Sequence, residues 1–175
     1  LSKRKDPELS LSYYRDMGYH PEAVREYLLT ILNSNFEEWR IANPEADIDQ
    51  FHFTTEKMSN SGALFDLDNI NDVSKDVLLR IPAADLAQFL KEWSEEFAPE
   101  DSYMFKDMDY LTKILDIGRH DKKPRKDLIY ARQIVDFIGY FFDESFTIQD
   151  QYPEEAEDDI AVILSDYLST YDHND

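Results

Sequence analysis

Apolar side chains recur at helical spacing along most of this chain. In the segment PEAVREYLLTIL, Val24, Tyr27 and Ile31 fall on one side of a helix together with Leu28. Residues three, four and seven positions apart share a helix face, so this spacing predicts an amphipathic helix. The same spacing predicts helices over NFEEWRIANP, PAADLAQFLKEWSEEF, SYMFKDMDYLTKIL, DLIYARQIVDFIGYFF and DDIAVILSDYLSTY. The pattern as a whole indicates an all-α protein.

End signals mark the first helix of the chain. Asp6 stands at the N-cap position of DPELSLSYYRDMG, Pro7 at its first helical position, and Gly18 just after its last. An Asp side chain accepts hydrogen bonds from the free N–H groups of a first turn, and proline is favoured at the first helical position. Glycine is favoured just past the end of a helix. These signals predict a helix that starts at Pro7 and ends before Gly18.

Residues 43–71 interrupt the helical pattern. They contain turn-forming residues and one short alternation of Phe51 and Phe53. Turn residues between periodic segments are typical of loops, and alternation is typical of an extended strand. We therefore expect a loop or one short extended piece here. Pro82, which follows the apolar run VLLRI, is predicted to mark a domain boundary.

Aromatic residues lie on the predicted helix faces in two stretches, residues 86–97 and 128–142. Aromatic rings stack on nucleic-acid bases only where the rings are exposed. Helical spacing places these rings toward a core, so we expect them to be buried. In the last predicted helix the apolar residues that align on one side are Ile160, Ile163, Leu164, Tyr167, Leu168 and Tyr171.

Charge is distributed unevenly along the chain. The 175 residues carry 18 basic and 38 acidic side chains, a formal net charge of −20. Taken alone, this charge argues against nucleic acid as a partner, because Lys and Arg drive phosphate binding. Residues 119–126, RHDKKPRK, nevertheless hold five basic residues and one acid, whereas residues 127–175 hold one basic residue and thirteen acids. A chain that is acidic overall can therefore still present a basic surface.

Two interpretations of the segment RHDKKPRK, the basic segment, are open at this point. It is either a solvated loop before a helix that begins near Asp127, or a contact for a polyanion. In the second case its side chains would make charge-assisted hydrogen bonds to phosphates. Those side chains are Arg119, Lys122, Lys123, Arg125 and Lys126.

Other chemistry-bearing residues show no pattern typical of a site. The chain has no Cys, which excludes disulfides, thiolate metal sites and cysteine nucleophiles and suits a reducing cytosol. The serines of SNSG lack the surroundings of a nucleophile, and the acidic patch EEAEDD lacks calcium-loop spacing. No apolar run reaches the roughly 20 residues of a membrane span. The histidines, which are scattered rather than at metal-ligand spacing, are His20, His52, His120 and His173.

Three segments resemble a known family in the order in which they occur. LSKRK resembles the Lys-Leu/Met-Ser-Lys-Arg form of the second signature loop of class I aminoacyl-tRNA synthetases, with the leading Lys expected before Leu1. SYYRDMGYHPEAVREYLLTIL resembles the segment that follows this loop in bacterial glutamyl-tRNA synthetases. FTTEKMSNSGALFDLDNINDVSKDVL resembles a later segment of that family. It departs from the usual Lys-Leu at Asn69 and Ile70, and it matches at Ser61, Phe65 and Asp66.

The resemblance is close over residues 1–81 and looser over residues 82–175. It implies a helical region that contacts the tRNA stem, followed by at least part of a helical-bundle anticodon-binding domain. It also implies glutamate-accepting tRNA as the partner, rather than DNA or a membrane, and a cytoplasmic location. The chain shows neither a His-Ile-Gly-His signature nor the alternating strands and helices of a Rossmann domain. We therefore expect a C-terminal fragment that partners a missing N-terminal nucleotide-binding domain.

The same resemblance implies the chemistry of the parent enzyme. It would attach glutamate to tRNA through a glutamyl-adenylate formed with ATP and Mg²⁺. Lys3 would neutralise negative charge on the ATP phosphates, which is stabilisation of the transition state by a placed cation. Ser2 and Arg4 would belong to the same ATP-binding loop. No cofactor is implied for the fragment alone, which we expect not to aminoacylate tRNA, and we expect the acidic stretch beyond residue 143 to face away from RNA.

A different class of answer is a non-catalytic acidic helical module for protein interactions, in which the match of LSKR is accidental. It accounts for the helical pattern and the acidity. It does not account for three segments that match one family in order. Glutaminyl enzymes share the signature loop, but the segment after it differs and leads to β-barrels, whereas the remainder here has a helical pattern.

Overall fold

The computed structural model describes Glu8 and residues 10–58, 65–146 and 157–170. Within these ranges the chain forms α-helices and short 3₁₀ helices, and its one β-type pairing is an isolated bridge between Asn33 and Met58. The all-α prediction is therefore confirmed. The helices are α1 (Leu11–Met17), α2 (Pro21–Leu32), α3 (Phe36–Ala42), α4 (Leu67–Arg80), α5 (Ala83–Phe97), α6 (Met108–Asp116), α7 (Ala131–Ile138) and α8 (Glu157–Thr170). The 3₁₀ helices are Ile48–Gln50, Thr55–Lys57, Pro99–Phe105 and Gly139–Phe141.

Helix α1 ends as predicted but starts later. Gly18 follows it in the left-handed conformation, with φ of 79°, which glycine adopts without a steric penalty. The helix begins at Leu11, with Ser10 at the N-cap position. The start predicted at Asp6 and Pro7 lies outside the described residues. The carbonyl oxygen of Gly18 accepts a hydrogen bond from the N–H of Ala131 at 2.8 Å, so the end of α1 is joined to the start of α7.

Helix α4 begins inside the segment that the sequence predicted to be a loop, so that prediction was wrong over Leu67–Asn71. The Asp66 side chain accepts a hydrogen bond from the N–H of Asp68 at 2.9 Å and caps the helix. Ile70, Val77 and Leu78 are all buried, and their spacing of seven and eight residues places them on one helix face. Asp and Asn residues between these positions favour turns and caps. The sequence pattern therefore did not indicate a helix here.

Two predicted helices are shorter than the sequence pattern indicated. The stretch SYMFKDMDYLTKIL divides into the 3₁₀ helix Pro99–Phe105 and α6, because Asp107 caps a new helix by accepting the N–H of Tyr110 at 2.9 Å. The helix predicted to begin near Asp127 begins at Ala131 instead. Residues before it are held in an extended form, since the Gln133 side chain accepts the N–H of Ile129 and donates to the carbonyl of Asp127, each at 3.0 Å.

The core consists of two clusters of buried side chains. The smaller cluster is centred on Tyr14, Tyr19, Tyr27 and Ile70. The larger cluster is built mainly from α5, α6 and α7, including Leu86, Leu90, Trp93, Leu111, Ile114, Leu115, Ile134 and Ile138. Both clusters draw residues across Pro82: Leu78 belongs to the larger one, and Ile129 and Tyr130 pack against the smaller one. The division into domains at Pro82 stays a prediction.

The expected burial of aromatic residues is confirmed for Trp93 on α5, where Phe89 and Phe97 are half-buried against the core, and is wrong for two residues near α7. Trp93 is 6% exposed, whereas Phe137 is 41% and Tyr140 55% exposed. The side chains of α7 that pack into the larger core cluster include Ile134 and Ile138. Residues 161–170 of α8 are all exposed, so Ile163, Leu164, Tyr167 and Leu168 of the aligned apolar side chains meet solvent.

A buried ion cluster joins α2, α3 and α4. Glu26 is 5% exposed, and its Oε1 atom accepts hydrogen bonds from Arg40 and from Arg80, both at 2.5 Å. Arg40 also donates to the carbonyls of Asn43 and Ala46. Removing one member of such a buried group leaves uncompensated charge, which strongly destabilises a fold. The cluster therefore ties the C-terminal end of α4 to the first part of the chain.

Candidate nucleic-acid interface

The basic segment forms a closed loop between α6 and α7. Gly118 opens the loop in the left-handed conformation, with φ of 72°. The N–H of Arg125 donates to the carbonyl oxygen of Gly118 at 3.0 Å. This hydrogen bond brings the two ends of the loop together, so the residues between them are presented as one compact turn.

Arg119 turns inward from this loop. Its side chain is 7% exposed, and its guanidinium donates to the carbonyl oxygens of Leu78 and Leu79 at 2.9 Å each and to that of Ile81. Those carbonyls belong to the last turn of α4 and the residue after it, where helix carbonyls lack helical partners. Burial lowers the pKa of the Arg119 guanidinium below its usual value. Its hydrogen-bonding capacity is thus committed to the protein.

Arg125 and Lys126 lie at the surface but are paired with carboxylates. The Nε atom of Arg125 lies 2.6 Å from Oδ1 of Asp127, and its guanidinium carbon lies 5.3 Å from the centroid of the Phe137 ring. The Nζ atom of Lys126 lies 2.6 Å from Oδ1 of Asp76, and both side chains are about half exposed, at 53% and 54%. An exposed pair such as Lys126 with Asp76 is weak, so a stronger anion can compete for Lys126. The Arg125 side chain is largely enclosed, at 20% exposure.

Lys122 and Lys123 are the two predicted phosphate contacts that point freely to solvent. Both are exposed, at the middle of the loop. Across the ranges that the structure describes, neither forms an ion pair. A free ammonium group on a compact turn binds a phosphate without first losing a protein partner. The five predicted residues therefore divide into one buried, two paired and two free cations.

The other predicted site residues belong to the start of the chain. Ser2, Lys3 and Arg4, the ATP-binding loop implied by the resemblance, lie outside the described residues. His120 contacts Oδ1 of Asp116 at 3.1 Å. Within the described ranges no group of three or more His, Asp and Glu side chains is arranged to hold a metal ion.

The sequence interpretation missed an exposed aromatic pair beside the basic segment. The ring centroids of Phe137 and Tyr140 lie 6.4 Å apart at an interplanar angle of 88°. A signal for this pair was present: the apolar stripe of α7 runs through residues 131, 134, 135 and 138, and positions 137 and 140 fall off that stripe at 3.6 residues per turn. The pair was missed because the prediction considered the aromatic content of this stretch and not the helix face on which each ring lies.

Comparisons with known proteins show similarity to glutamate–tRNA ligases along the whole chain. The chain is 59% identical over 177 residues to the glutamate–tRNA ligase of Acetivibrio thermocellus, which covers all of this chain and 32% of that protein. It is 44% identical over 158 residues to the enzyme of Clostridium beijerinckii, covering 90% of this chain and 28% of that protein. With the enzyme of Sorangium cellulosum it is 35% identical, over all of this chain and 31% of that protein. The chain thus spans about a third of the length of these relatives.

Neither a family model nor a solved structure matches the chain. Among the described residues no helix is long and apolar enough to cross a membrane. The similarity to glutamate–tRNA ligases is therefore the comparison on which a proposal of function can rest.

Proposed function

This chain is a homologue of glutamate–tRNA ligases over about a third of their length, and from that premise we propose that it serves as a tRNA-contacting part of such an enzyme. The observation that carries the proposal is the pair of free ammonium groups, Lys122 and Lys123, on the compact turn of an otherwise acidic protein. Phosphate contacts of this kind provide affinity and position a protein on its nucleic acid.

The segregation of charge supports this role. Because the basic segment carries a local net charge of +4 within a chain of net charge −20, the field of the protein directs a polyanion toward one region. Paired cations at Arg125 and Lys126 extend the same region. Arg119 supports the loop from inside through the end of α4. The acidic stretch beyond residue 143 faces away from RNA in this proposal.

For the parent enzyme we propose the activity that the relatives' name states, attachment of glutamate to tRNA. ATP and Mg²⁺ would supply the activation of glutamate as glutamyl-adenylate. In this proposal Lys3 contributes positive charge beside the ATP phosphates, and Ser2 and Arg4 complete the loop. A nucleotide-binding domain would be contributed by the part of the relatives that this chain does not span, in a cytoplasmic enzyme. The chain alone would then not aminoacylate tRNA.

Within the chain we propose that residues 1–81 form the stem-contact region and residues 82–175 at least part of an anticodon-binding helical domain. This division follows the resemblance described above. The alternative function, a helical protein-interaction module, leaves the 59% identity to a glutamate–tRNA ligase without an explanation.

The test is the salt dependence of tRNA binding by two matched double variants. K122A/K123A removes the free cations of the loop, and K57A/K113A removes two exposed lysines elsewhere that form no ion pair within the described ranges. Binding of a glutamate-accepting tRNA transcript is measured from about 50 to about 200 mM salt. Because each phosphate contact contributes a slope of about 0.7 to 0.9, K122A/K123A should flatten the log–log slope by roughly 1.5 and weaken binding.

The control variant should keep the slope of the unmodified chain, because it loses no phosphate contact. Both variants lose two positive charges, so a difference between their slopes is not an effect of net charge. Equal slopes for K122A/K123A and the unmodified chain would contradict the proposed contact.

A further inference from the structure

Two aromatic rings stand at the surface beside the basic segment. Phe137 lies on α7 and Tyr140 in the 3₁₀ helix Gly139–Phe141 that follows it. Phe137 is 41% exposed and Tyr140 55% exposed, although aromatic side chains of this size are usually well buried. Tyr140 also lies 4.3 Å, centroid to centroid, from Phe141. Phe137, Tyr140 and Phe141 thus follow one another as a short row, in which Phe137 and Tyr140 meet edge to face at an interplanar angle of 88°.

Open space adjoins this row of rings. A groove of about 480 Å³ borders Phe137, and the residues that line it also include Met17, Tyr130, Arg132, Gln133 and Asp136. Positions 133, 136, 137 and 140 lie three, four and seven residues apart, which places them on one helix face. The groove is large enough for a planar group to lie against the Phe137 ring.

The charges around the rings differ from one side to the other. Arg125 lies over the Phe137 ring at 5.3 Å. Lys123 precedes Arg125 by two residues, which limits the distance between their Cα atoms to roughly 7.6 Å. Asp136 is exposed on the groove side, and its carboxylate repels a phosphate. Phosphates are therefore favoured at the loop, and an uncharged planar group is favoured at the rings.

We propose that the exposed ring faces of Phe137 and Tyr140 each stack on an unpaired RNA base, and that the neighbouring phosphates bind Lys122 and Lys123. The inference rests on the proposed function, since it assigns the RNA a second kind of contact next to the first. Unpaired bases in loops stack on exposed aromatic rings. Such stacking tolerates any base because every base has a π-face. Base-paired RNA offers no free face, so the surface distinguishes looped from fully paired RNA.

A protein is the other class of partner that an exposed aromatic pair can bind. RNA is favoured here because Arg125, at the end of the most basic segment of the chain, lies over the Phe137 ring, and because the groove beside that ring carries Arg132, Gln133 and Asp136 together with its apolar side chains. Protein-docking surfaces are centred on well-packed apolar anchors with charged residues depleted.

The test compares two variants on two RNAs. F137L/Y140L removes the ring faces and keeps apolar side chains. F146L is the matched control, because Phe146 is 56% exposed and lies in the stretch beyond residue 143 that faces away from RNA in the proposed function. The RNAs are a glutamate-accepting tRNA transcript and a fully paired RNA duplex of equal length. F137L/Y140L should weaken tRNA binding about tenfold and leave both the salt slope and duplex binding unchanged, because no phosphate contact is lost. F146L should leave tRNA binding unchanged. Thermal unfolding of each variant confirms that it is folded.

The outcomes separate this inference from the proposed function. If K122A/K123A flattens the salt slope but F137L/Y140L binds tRNA like the unmodified chain, the stacking surface is refuted and the phosphate contact stands. Equal loss on tRNA and duplex also overturns stacking, because a paired duplex has no free base. If the lysine variant keeps its slope, the proposed contact itself fails. If F137L/Y140L abolishes self-association in sedimentation and leaves RNA binding intact, the rings are a protein-docking surface, contrary to the inference.

Discussion

Arg119 and Lys122 stand three residues apart in the basic segment and lie in opposite surroundings. The Arg119 guanidinium is enclosed, at 7% exposure, by the carbonyls that end α4. The Lys122 ammonium is exposed on the turn. The planar guanidinium offers several donors in a fixed arrangement, which suits a ring of carbonyls, whereas a lysine offers a compact point charge. At this scale one cation stabilises the loop and the other is available to a ligand.

Replacing Arg119 should therefore destabilise the protein. R119A leaves the carbonyls of Leu78 and Leu79 without their buried donor, and hydrogen bonds to charged groups contribute about 1.5–3 kcal/mol each. We expect the free energy of unfolding to fall by about 3 kcal/mol, measured by urea denaturation followed by circular dichroism. K122A is the control and should change the value by less than about 0.5 kcal/mol. A similar small change in R119A would show that the inward contacts carry no stability.

The sequence shows the positive charge of this segment. It does not show which of its basic residues are buried, paired or free. RHDKKPRK contains five basic residues, and nothing in the eight letters distinguishes the one whose partners lie some forty residues earlier, at Leu78 and Leu79. Long-range packing of α4 against the loop makes that distinction. By contrast, the exposure of Phe137 and Tyr140, which were wrongly predicted to be buried, follows from local helical spacing and was therefore predictable from the sequence.

At the scale of elements, the junction of α1 with α5 and α7 holds the two core clusters together. Gly18 ends α1, its carbonyl accepts the N–H of Ala131, and the Arg15 carbonyl accepts the indole N–H of Trp93 at 3.1 Å. A Cβ atom on Gly18 would lie 2.4 Å from the Cβ of Ala131 and 2.8 Å from Nε1 of Trp93. The close approach of three helices therefore requires glycine for both its conformation and its size.

Gly18→Ala should consequently destabilise the fold by about 3 kcal/mol, as the sum of the left-handed backbone penalty and overpacking against Ala131. The measurement is the midpoint and slope of urea unfolding. Gly139→Ala is the matched control, because a Cβ there would meet the Ser145 side chain no closer than 3.4 Å, and the backbone is not left-handed. Equal effects of the two substitutions would refute the close approach at Gly18.

Helices with strong periodicity and clear end signals were predictable, and helices positioned by side-chain caps were not. α2 and α5 match their predicted extents because each has a continuous apolar stripe after a proline. α4 was not predicted, and α7 was predicted to start too early, since Asp66 and Gln133 set the starts of these helices through side-chain hydrogen bonds to the backbone. Such bonds are compatible with either a cap or a turn in the sequence.

At the scale of the whole molecule, the uneven charge explains how an acidic chain can take a role on RNA. The formal net charge is −20, yet the free cations and exposed rings lie together at the loop between α6 and α7 and on the adjoining face of α7. The acidic remainder repels a polyanion and so restricts where it can approach. The protein should therefore bind RNA in one orientation rather than over its whole surface.

The central claim, that this chain contacts tRNA, is tested most directly by comparing two polyanions. Binding of the unmodified chain to a glutamate-accepting tRNA transcript and to a DNA duplex with the same number of phosphates is measured by gel shift from about 50 to about 200 mM salt. The account predicts saturable tRNA binding that weakens log-linearly with salt and is tighter than DNA binding at every salt concentration. No tRNA binding at the lowest salt, or equal affinity for the DNA duplex, would contradict it.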